Sequence, residues 1–327
     1  ALLGMASSFA ECSLAQLYKE RDSRGQFRGG PAWYMARGLG MRWMGVLFSI
    51  LLLLAYGFIF NTVQANSVAH ALRYAFDLPA AVSGGVLAVV VLLAILRGLR
   101  GVARLMQWIV PFMALLWIAT SLLIGLWHIT ALPTIFATIF RCAFGWQEAA
   151  AGAVGYTISQ ALTSGFQRGM FSNEAGMGSS PNAAAAQGIV QMIGVFIDTI
   201  VICTASAIIV MLAPRPDNEY TLNGIQDLQH AMSVLVGGWG AGFIALIVLL
   251  FAFSSIVANY VYAENNLVFL RLDKPRYIWG LRILTVLMVL LGTMVSLPVV
   301  WQSADIIMAL MAMTNLTAIL LLSPTVR

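Results

Sequence analysis

Leu246-Ile247-Val248-Leu249-Leu250-Phe251-Ala252-Phe253-Ser254-Ser255-Ile256-Val257-Ala258-Asn259-Tyr260-Val261-Tyr262 forms the larger part of a run over 237–262 that holds no charged residue. A helix rises about 1.5 Å per residue and the hydrocarbon core of a bilayer is about 30 Å thick, so a span takes roughly 20 mainly apolar residues. This run is long enough to cross, and in lipid its backbone is satisfied only by its own helical hydrogen bonds. The same reading along the rest of the chain predicts eight full spans, at about 44–72, 81–97, 105–127, 149–169, 188–213, 237–262, 280–298 and 300–323. The apolar stretch before about Tyr18 reads as the remnant of another.

Composition agrees with a lipid environment. Apolar residues make up 60% of the 327 and charged residues 9%, which excludes a water-soluble globular domain. The formal charge of +5 has a topological meaning, because the basic residues flank the spans. With the Lys19–Arg42 loop in the cytoplasm, Arg97, Arg100, Arg104, Arg168, Arg271, Lys274, Arg276, Arg282 and Arg327 fall on the same side, and only Arg73, Arg141 and Arg215 fall outside. Cys12, Cys142 and Cys203 are scattered and read as packing residues, while His70, His128 and His230 make no zinc spacing. A serine nucleophile would lack both a base and a Gly-x-Ser-x-Gly setting, so an intramembrane enzyme is excluded in favour of a carrier.

Between the spans, 133–146 is amphipathic and too short to cross, which suits an outer interfacial or re-entrant helix, and 214–230 reads as a polar outer loop. A faint repeat is visible: Ala55-Tyr56 with Ile59 resembles Ala252-Phe253 with Ile256, and Phe9-Ala10-Glu11 resembles Phe196-Ile197-Asp198. These offsets suit five-helix repeats, and an odd number of spans per repeat forces the second copy to be inverted.

Polar residues inside spans are the candidates for chemistry, because each is expensive there. In the fourth full span, Thr163-Ser164-Gly165 is a place where the helix could unwind and turn its free backbone groups and half-helix ends toward a zwitterion; close packing of small residues is the alternative. After it, Phe171-Ser172-Asn173-Glu174-Ala175-Gly176-Met177-Gly178-Ser179-Ser180-Pro181 reads as a packed cytoplasmic turn, with Ser172, Asn173 and Glu174 either an inner gate or a helix cap. Asn61, Gln64 and Asn66 interrupt the first full span, and Gln64 has both a donor and an acceptor for an amino acid. Ser254 and Ser255 offer hard oxygen ligands suited to an alkali cation. Among the acids Glu11, Glu174, Asp198, Glu264 and Asp305, Asp198 lies deepest; it could neutralise a cation, carry a proton or pair with another helix.

Phe9-Ala10-Glu11, Gly29-Gly30-Pro31, Phe171 through Ser179 and Phe196-Ile197-Asp198-Thr199, in that order, resemble the alanine or glycine:cation symporter family over nearly the whole chain. The resemblance implies an all-α integral membrane protein of the five-plus-five inverted-repeat type. Residues 1–327 would then be one polytopic transporter domain that lacks its first core helix and its last helix. It implies substrate contacts at Gln64, Ser164, Gly165 and Phe166, sodium at Ser254 and Ser255, and gating or coupling at Ser172, Asn173, Glu174 and Asp198. The function implied is symport of a small neutral amino acid, alanine or glycine, with sodium across the bacterial inner membrane. Sodium is the co-transported ion, no organic cofactor is expected, and the partners are the amino acid and the bilayer, not nucleic acid. Two alternatives remain: a truncated relative that does not transport, and a proton-coupled carrier on the same fold.

Overall fold

A computed structural model describes residues 2–21, 25, 27–144, 154–179, 188–214 and 224–326. The chain is helical nearly throughout. The elements are α1 (Leu2–Leu17), a two-strand hairpin β1 (Glu20–Arg21) and β2 (Phe27–Arg28), and α2 (Pro31–Arg37). Then follow α3 (Arg42–Leu54), α4 (Phe60–Phe76), α5 (Ala80–Leu96), α6 (Gly98–Trp127), α7 (Leu132–Ala143) and α8 (Val154–Asn173). The second half holds α9 (Gly188–Phe196), α10 (Cys203–Leu212), α11 (Ile225–Val236), α12 (Trp239–Phe269), α13 (Pro275–Gly292) and α14 (Leu297–Val326).

Two short π-helical segments, Ala55–Ile59 and Ile197–Ile202, join α3 to α4 and α9 to α10 into continuous rods over Arg42–Phe76 and Gly188–Leu212. Among the described residues, six helices are long and apolar enough to cross a membrane: these two rods, Gly101–Trp127, Trp239–Phe269, Pro275–Gly292 and Leu297–Thr325. The chain is therefore a multi-pass membrane protein. The other two expected spans are also helices. Residues 81–97 form α5, whose 17 residues are marginal for a crossing. The described part of 149–169 lies in α8, long enough at 20 residues but not apolar enough, because its hydroxyls, amides and glycines lower its hydropathy.

Two local expectations are corrected. Thr163-Ser164-Gly165 does not unwind: α8 is a regular helix through all three, and the Thr163 hydroxyl donates back to the Ser159 carbonyl at 2.8 Å. Glycine and serine weaken a helix by well under the cost of exposing backbone polar groups to lipid, so the helix persists. The described part of 214–230 is not all loop, since α11 starts at Ile225; Gln229 and the apolar Ala231 and Met232 are buried on one face. The short helix expected at 133–146 is α7.

The breaks in regularity fall instead at the π segments. A π turn frees carbonyls that an α-helix would use, and Asn61 answers two of them: its Nδ2 donates to the Tyr56 carbonyl at 2.8 Å and to Gly57 at 3.3 Å. Asn61 Oδ1 in turn accepts from Asn259 Nδ2 on α12 at 3.0 Å. Asn66 donates to the Gly292 carbonyl at 2.9 Å and to Val295 at 2.7 Å, closing the end of α13. Both amides therefore hold helices together, while Gln64 makes no such bond among the described residues and lines a cavity instead. A double-mutant cycle between Asn61→Ala and Asn259→Ala, read by thermal unfolding in detergent, is expected to give a coupling of about 0.6 kcal/mol and no more than about 1.7.

Three apolar clusters organise the bundle. The first joins α1, α2, α3 and α14 around Tyr34, Phe48, Tyr56, Met177 and Met311; the second joins α4, α5, α12 and α13; the third joins α6, α10, α11 and α12. Segments that carry the faint sequence repeat touch their counterparts: α1 lies against α9, and the first π segment, which holds Ala55, Tyr56 and Ile59, lies against α12. The candidate site lies where α12 passes from the second cluster to the third.

Candidate functional site

A cavity of about 290 Å³ opens among α4, α6, α8, α10, α11, α12 and the second π segment. Gln64, Ser172, Asp198, Cys203 and Ser206 supply its polar lining, and Trp117, Ile244, Ile247, Val248, Phe251 and Ala252 line much of the apolar part. Most of the wall is apolar with a few convergent polar groups, the usual make-up of a small-molecule site. Its volume falls just under the roughly 300–1,000 Å³ range of sites for drug-sized ligands, which favours a small solute.

Local geometry explains how Asp198 reaches this place. It sits in the π segment Ile197–Ile202, where the helix widens and two successive side chains face the same neighbour. Ser172 Oγ donates to Asp198 Oδ2 at 2.6 Å, and Asn173 Nδ2 donates to Thr199 Oγ1 at 3.0 Å. Ser172 Oγ also lies 3.3 Å from Cys203 Sγ. Among the described residues Asp198 has no cationic partner, in contrast to Asp305, held by Arg168 with both oxygens at 2.6 Å, and to Glu264, 3.8 Å from Arg28. Arg168 thus belongs to a pair with α14 and stacks over Trp301 at 4.3 Å, so it does not act as a free cytoplasmic charge.

The turn after α8 is built by backbone conformation. Glu174 ends the helix in the left-handed region at φ 53°, and Gly176 and Gly178 repeat that conformation at φ 88° and 81°. A bulky residue in this region is unusual and marks a place the surroundings hold fixed. Asn173 Oδ1 accepts from the Ala175 N–H at 2.9 Å, so it caps the turn while its amide bridges to Thr199. Met177 is fully buried in the first cluster. Buried Asn315 of α14 donates to Glu11 Oε1 at 2.7 Å and to the Gly176 carbonyl at 3.0 Å, and accepts from Tyr34 Oη. Withdrawal from water pushes the Glu174 carboxyl up to about 7, against the lowering effect of the nearby Ser179 and Tyr56 hydroxyls, and the Asp198 charge adds to the rise.

The expected site residues divide into three groups. Gln64, Ser172 and Asp198 meet in the cavity. Ser254 and Ser255 lie one turn along α12 from Phe251 and Ala252; Ser254 is buried and its hydroxyl donates to the Phe251 carbonyl at 2.8 Å. Ser164, Gly165 and Phe166 do not join them: all three are exposed on α8, Phe166 at 61%, and no other group lies within 4 Å of a Cβ built on Gly165. The described contacts of α8 are with α7, α14 and the second π segment, which leave that face uncovered. Cys203 and Ser206 escaped the sequence reading as site residues: five residues after Asp198 falls on a different face of a regular α-helix, and the wider turn of the π segment Ile197–Ile202 changes that phase, so that Cys203 and Ser206 line the cavity with Asp198.

The model of the sodium:alanine symporter family matches residues 1–327. Over 336 residues the chain is 67% identical to the uncharacterized transporter YaaJ of Escherichia coli (strain K12), a match that covers 100% of this chain and 71% of that protein. It is 45% identical over 334 residues to the amino-acid carrier protein AlsT of Bacillus subtilis (strain 168), covering 99% of this chain and 69% of AlsT. It is 36% identical over 344 residues to the sodium/alanine symporter AgcS of Methanococcus maripaludis, covering 100% of this chain and 74% of AgcS. An apolar bundle with a small cavity, beside which Asp198 has no cationic partner among the described residues, suits a carrier of small polar solutes, and the chain belongs to the sodium:alanine symporter family, a family of transporters and not of enzymes.

Proposed function

We propose that this chain carries a small neutral amino acid, alanine or glycine, together with sodium across the bacterial inner membrane. The observation that carries the reading is the cavity of about 290 Å³ in which Asp198 has no cationic partner among the described residues, beside the Gln64 amide and the Ser172 and Ser206 hydroxyls. A carboxylate in that setting attracts a positive group, either the ammonium of a zwitterion or the ion itself. Gln64 can donate to the substrate carboxylate and accept from its ammonium. Ser255 lies on the α12 face that continues the cavity wall and, with Ser254, offers oxygen to sodium. Ser172, Asn173 and Glu174 form the joint between α8 and the second π segment, where a change of angle would open the cavity on the cytoplasmic side. The fold under this reading is the five-plus-five inverted repeat, supported by the faint sequence repeat, whose copies pack as α1 on α9 and the first π segment on α12.

Inward sodium movement supplies about 2.3 kcal/mol per 100 mV of membrane potential, enough to accumulate an uncharged zwitterion when the two move together. The test is uptake of radiolabelled alanine and glycine into proteoliposomes with and without an inward sodium gradient, for the chain alone and extended at its N-terminus. Sodium-stimulated uptake of either amino acid in either form supports the reading; its absence for both amino acids in both forms overturns it. Proton coupling is the second reading, favoured by the Glu174 carboxyl that titrates near neutrality, and uptake that follows a pH gradient without sodium would establish it.

A further inference from the structure

At the opposite end of α12 from the Trp239 terminus, a second cavity of about 410 Å³ is lined by Glu20, Arg21, Arg28, Trp33, Arg37, Arg42 and Arg271, among others. The described lining thus holds five arginines and one carboxylate, Glu20, which is paired with Arg37. Arg28 is buried, 6% exposed, with Glu264 at 3.8 Å, while Arg21, Arg37, Arg42 and Arg271 are exposed around it. The wall is fixed in place. Asn265 Nδ2 of α12 donates to the Gly29 carbonyl at 2.9 Å, which ties the β1–β2 hairpin to the bundle, and Trp33 packs edge-on against Phe269 at 5.1 Å.

The position of this cavity along the membrane normal follows from the spans. Arg42 is the first residue of the 35-residue rod, and Arg271 follows α12 by two residues, so both mark the level at which hydrocarbon gives way to headgroups. Beside Arg42 begins an apolar stripe on α3 that the bundle leaves uncovered: Trp43, Leu47, Ile50 and Leu54 are 66%, 42%, 47% and 42% exposed. Their spacing of four, three and four residues puts them in one line along the helix, and a tryptophan at the top of such a line is typical of the interface.

We propose that this pocket binds the phosphate of an anionic phospholipid, with its acyl chain lying along Trp43, Leu47, Ile50 and Leu54. The shared chemistry is that of a phosphate anion, for which the planar guanidinium fork is suited; the apolar stripe that starts at the mouth selects the lipid over a free anion. The arginines also lie on the face that charge bias assigns to the cytoplasm, where anionic lipids attract basic clusters at roughly fivefold in affinity per residue.

The experiment is native mass spectrometry of the purified chain in detergent, titrated with phosphatidylglycerol, phosphatidylcholine or inorganic phosphate. The pocket variant is R42Q/R271Q, and the control is R97Q/R104Q, which removes two exposed arginines from the same face but outside the cavity. The expected result is that the chain retains phosphatidylglycerol, that the pocket variant binds it roughly 25-fold more weakly, and that the control changes little. Phosphatidylcholine should show no such difference, and millimolar inorganic phosphate should not displace the lipid. Equal losses in the two variants would overturn the proposal in favour of a diffuse basic surface. Binding of inorganic phosphate without retention of phosphatidylglycerol would overturn it in favour of a soluble anion. Should the double variant fail to fold, R42Q alone, expected to weaken binding about fivefold, carries the same test.

Discussion

Replacement of Gly178 by alanine is expected to destabilise the protein by about 2–5 kcal/mol, which would be seen as a large drop in thermal midpoint in detergent. Two effects add. Gly178 lies at φ 81°, where a side chain costs about 1–2 kcal/mol. A Cβ there would also stand 2.4 Å from Pro31 Cγ and 2.7 Å from Phe48 Cζ, and crowding of a packed core adds about 1–3 kcal/mol. Phe48 is fully buried in the first apolar cluster and Pro31 begins α2, so neither can yield cheaply. The contrast is Gly165→Ala on α8. There the backbone is helical and the space is open, so alanine is expected to be neutral or to stabilise by up to about 1 kcal/mol. Equal stability of the two variants would contradict the turn geometry; strong destabilisation by Gly165→Ala would contradict a continuous α8.

Under the proposed function, Asp198→Asn is expected to reduce sodium-driven alanine uptake by tenfold or more while leaving the protein folded. Asparagine can still accept the Ser172 hydroxyl bond, so the joint between α8 and the second π segment keeps its geometry. What is lost is the negative charge, and a hydrogen bond to a charged group is worth about 1.5–3 kcal/mol. Phe166→Ala, measured beside it, separates the structural arrangement from the one implied by family resemblance. Because Phe166 is exposed and absent from the lining, its truncation is expected to change the apparent KM less than twofold, whereas Gln64→Ala should raise it severalfold. Uptake by Asp198→Asn equal to that of the parent would remove this carboxylate from the mechanism. A loss in Phe166→Ala as large as in Gln64→Ala would return α8 to the substrate site.

The membrane class was legible in the sequence because hydropathy is a sum over neighbours in the chain, and a stretch such as 237–262 carries that sum within itself. Each expected span overlaps a helix where the chain is described, and six of the described helices are long and apolar enough to cross, while the stretch expected at 280–298 runs past the end of α13 into the turn at 293–296. The polar residues inside them were legible as a set, since each stands out against an apolar background. Their individual duties were not. Asn61, Gln64 and Asn66 lie within six positions of each other on one rod, yet two hold helices together and one lines a cavity. Likewise Glu11, Asp198, Glu264 and Asp305 look alike in the sequence as acids in or near spans, and only their partners, Asn315, Ser172, Arg28 and Arg168, tell them apart.

What the sequence by itself determined is the solvent of each segment, the helices that follow from it, and the family, carried by the order of short motifs along the chain. What only the tertiary structure decided is where regular helix gives way and which side chains meet. The weak point was expected at Thr163-Ser164-Gly165, where the residue types permit unwinding, but helix propensity differs by less than about 1 kcal/mol per residue. Among the described residues the π-helical departures lie at Ala55–Ile59 and Ile197–Ile202; Asn61, one turn further along the same rod, answers two carbonyls of the first, and Ser172 and Asn173 of α8 bond the side chains of Asp198 and Thr199 in the second. A backbone group freed in lipid costs several kcal/mol unless a partner answers it, and the Asn61 amide that answers here is itself held by Asn259 of α12, a contact that no single stretch of chain contains.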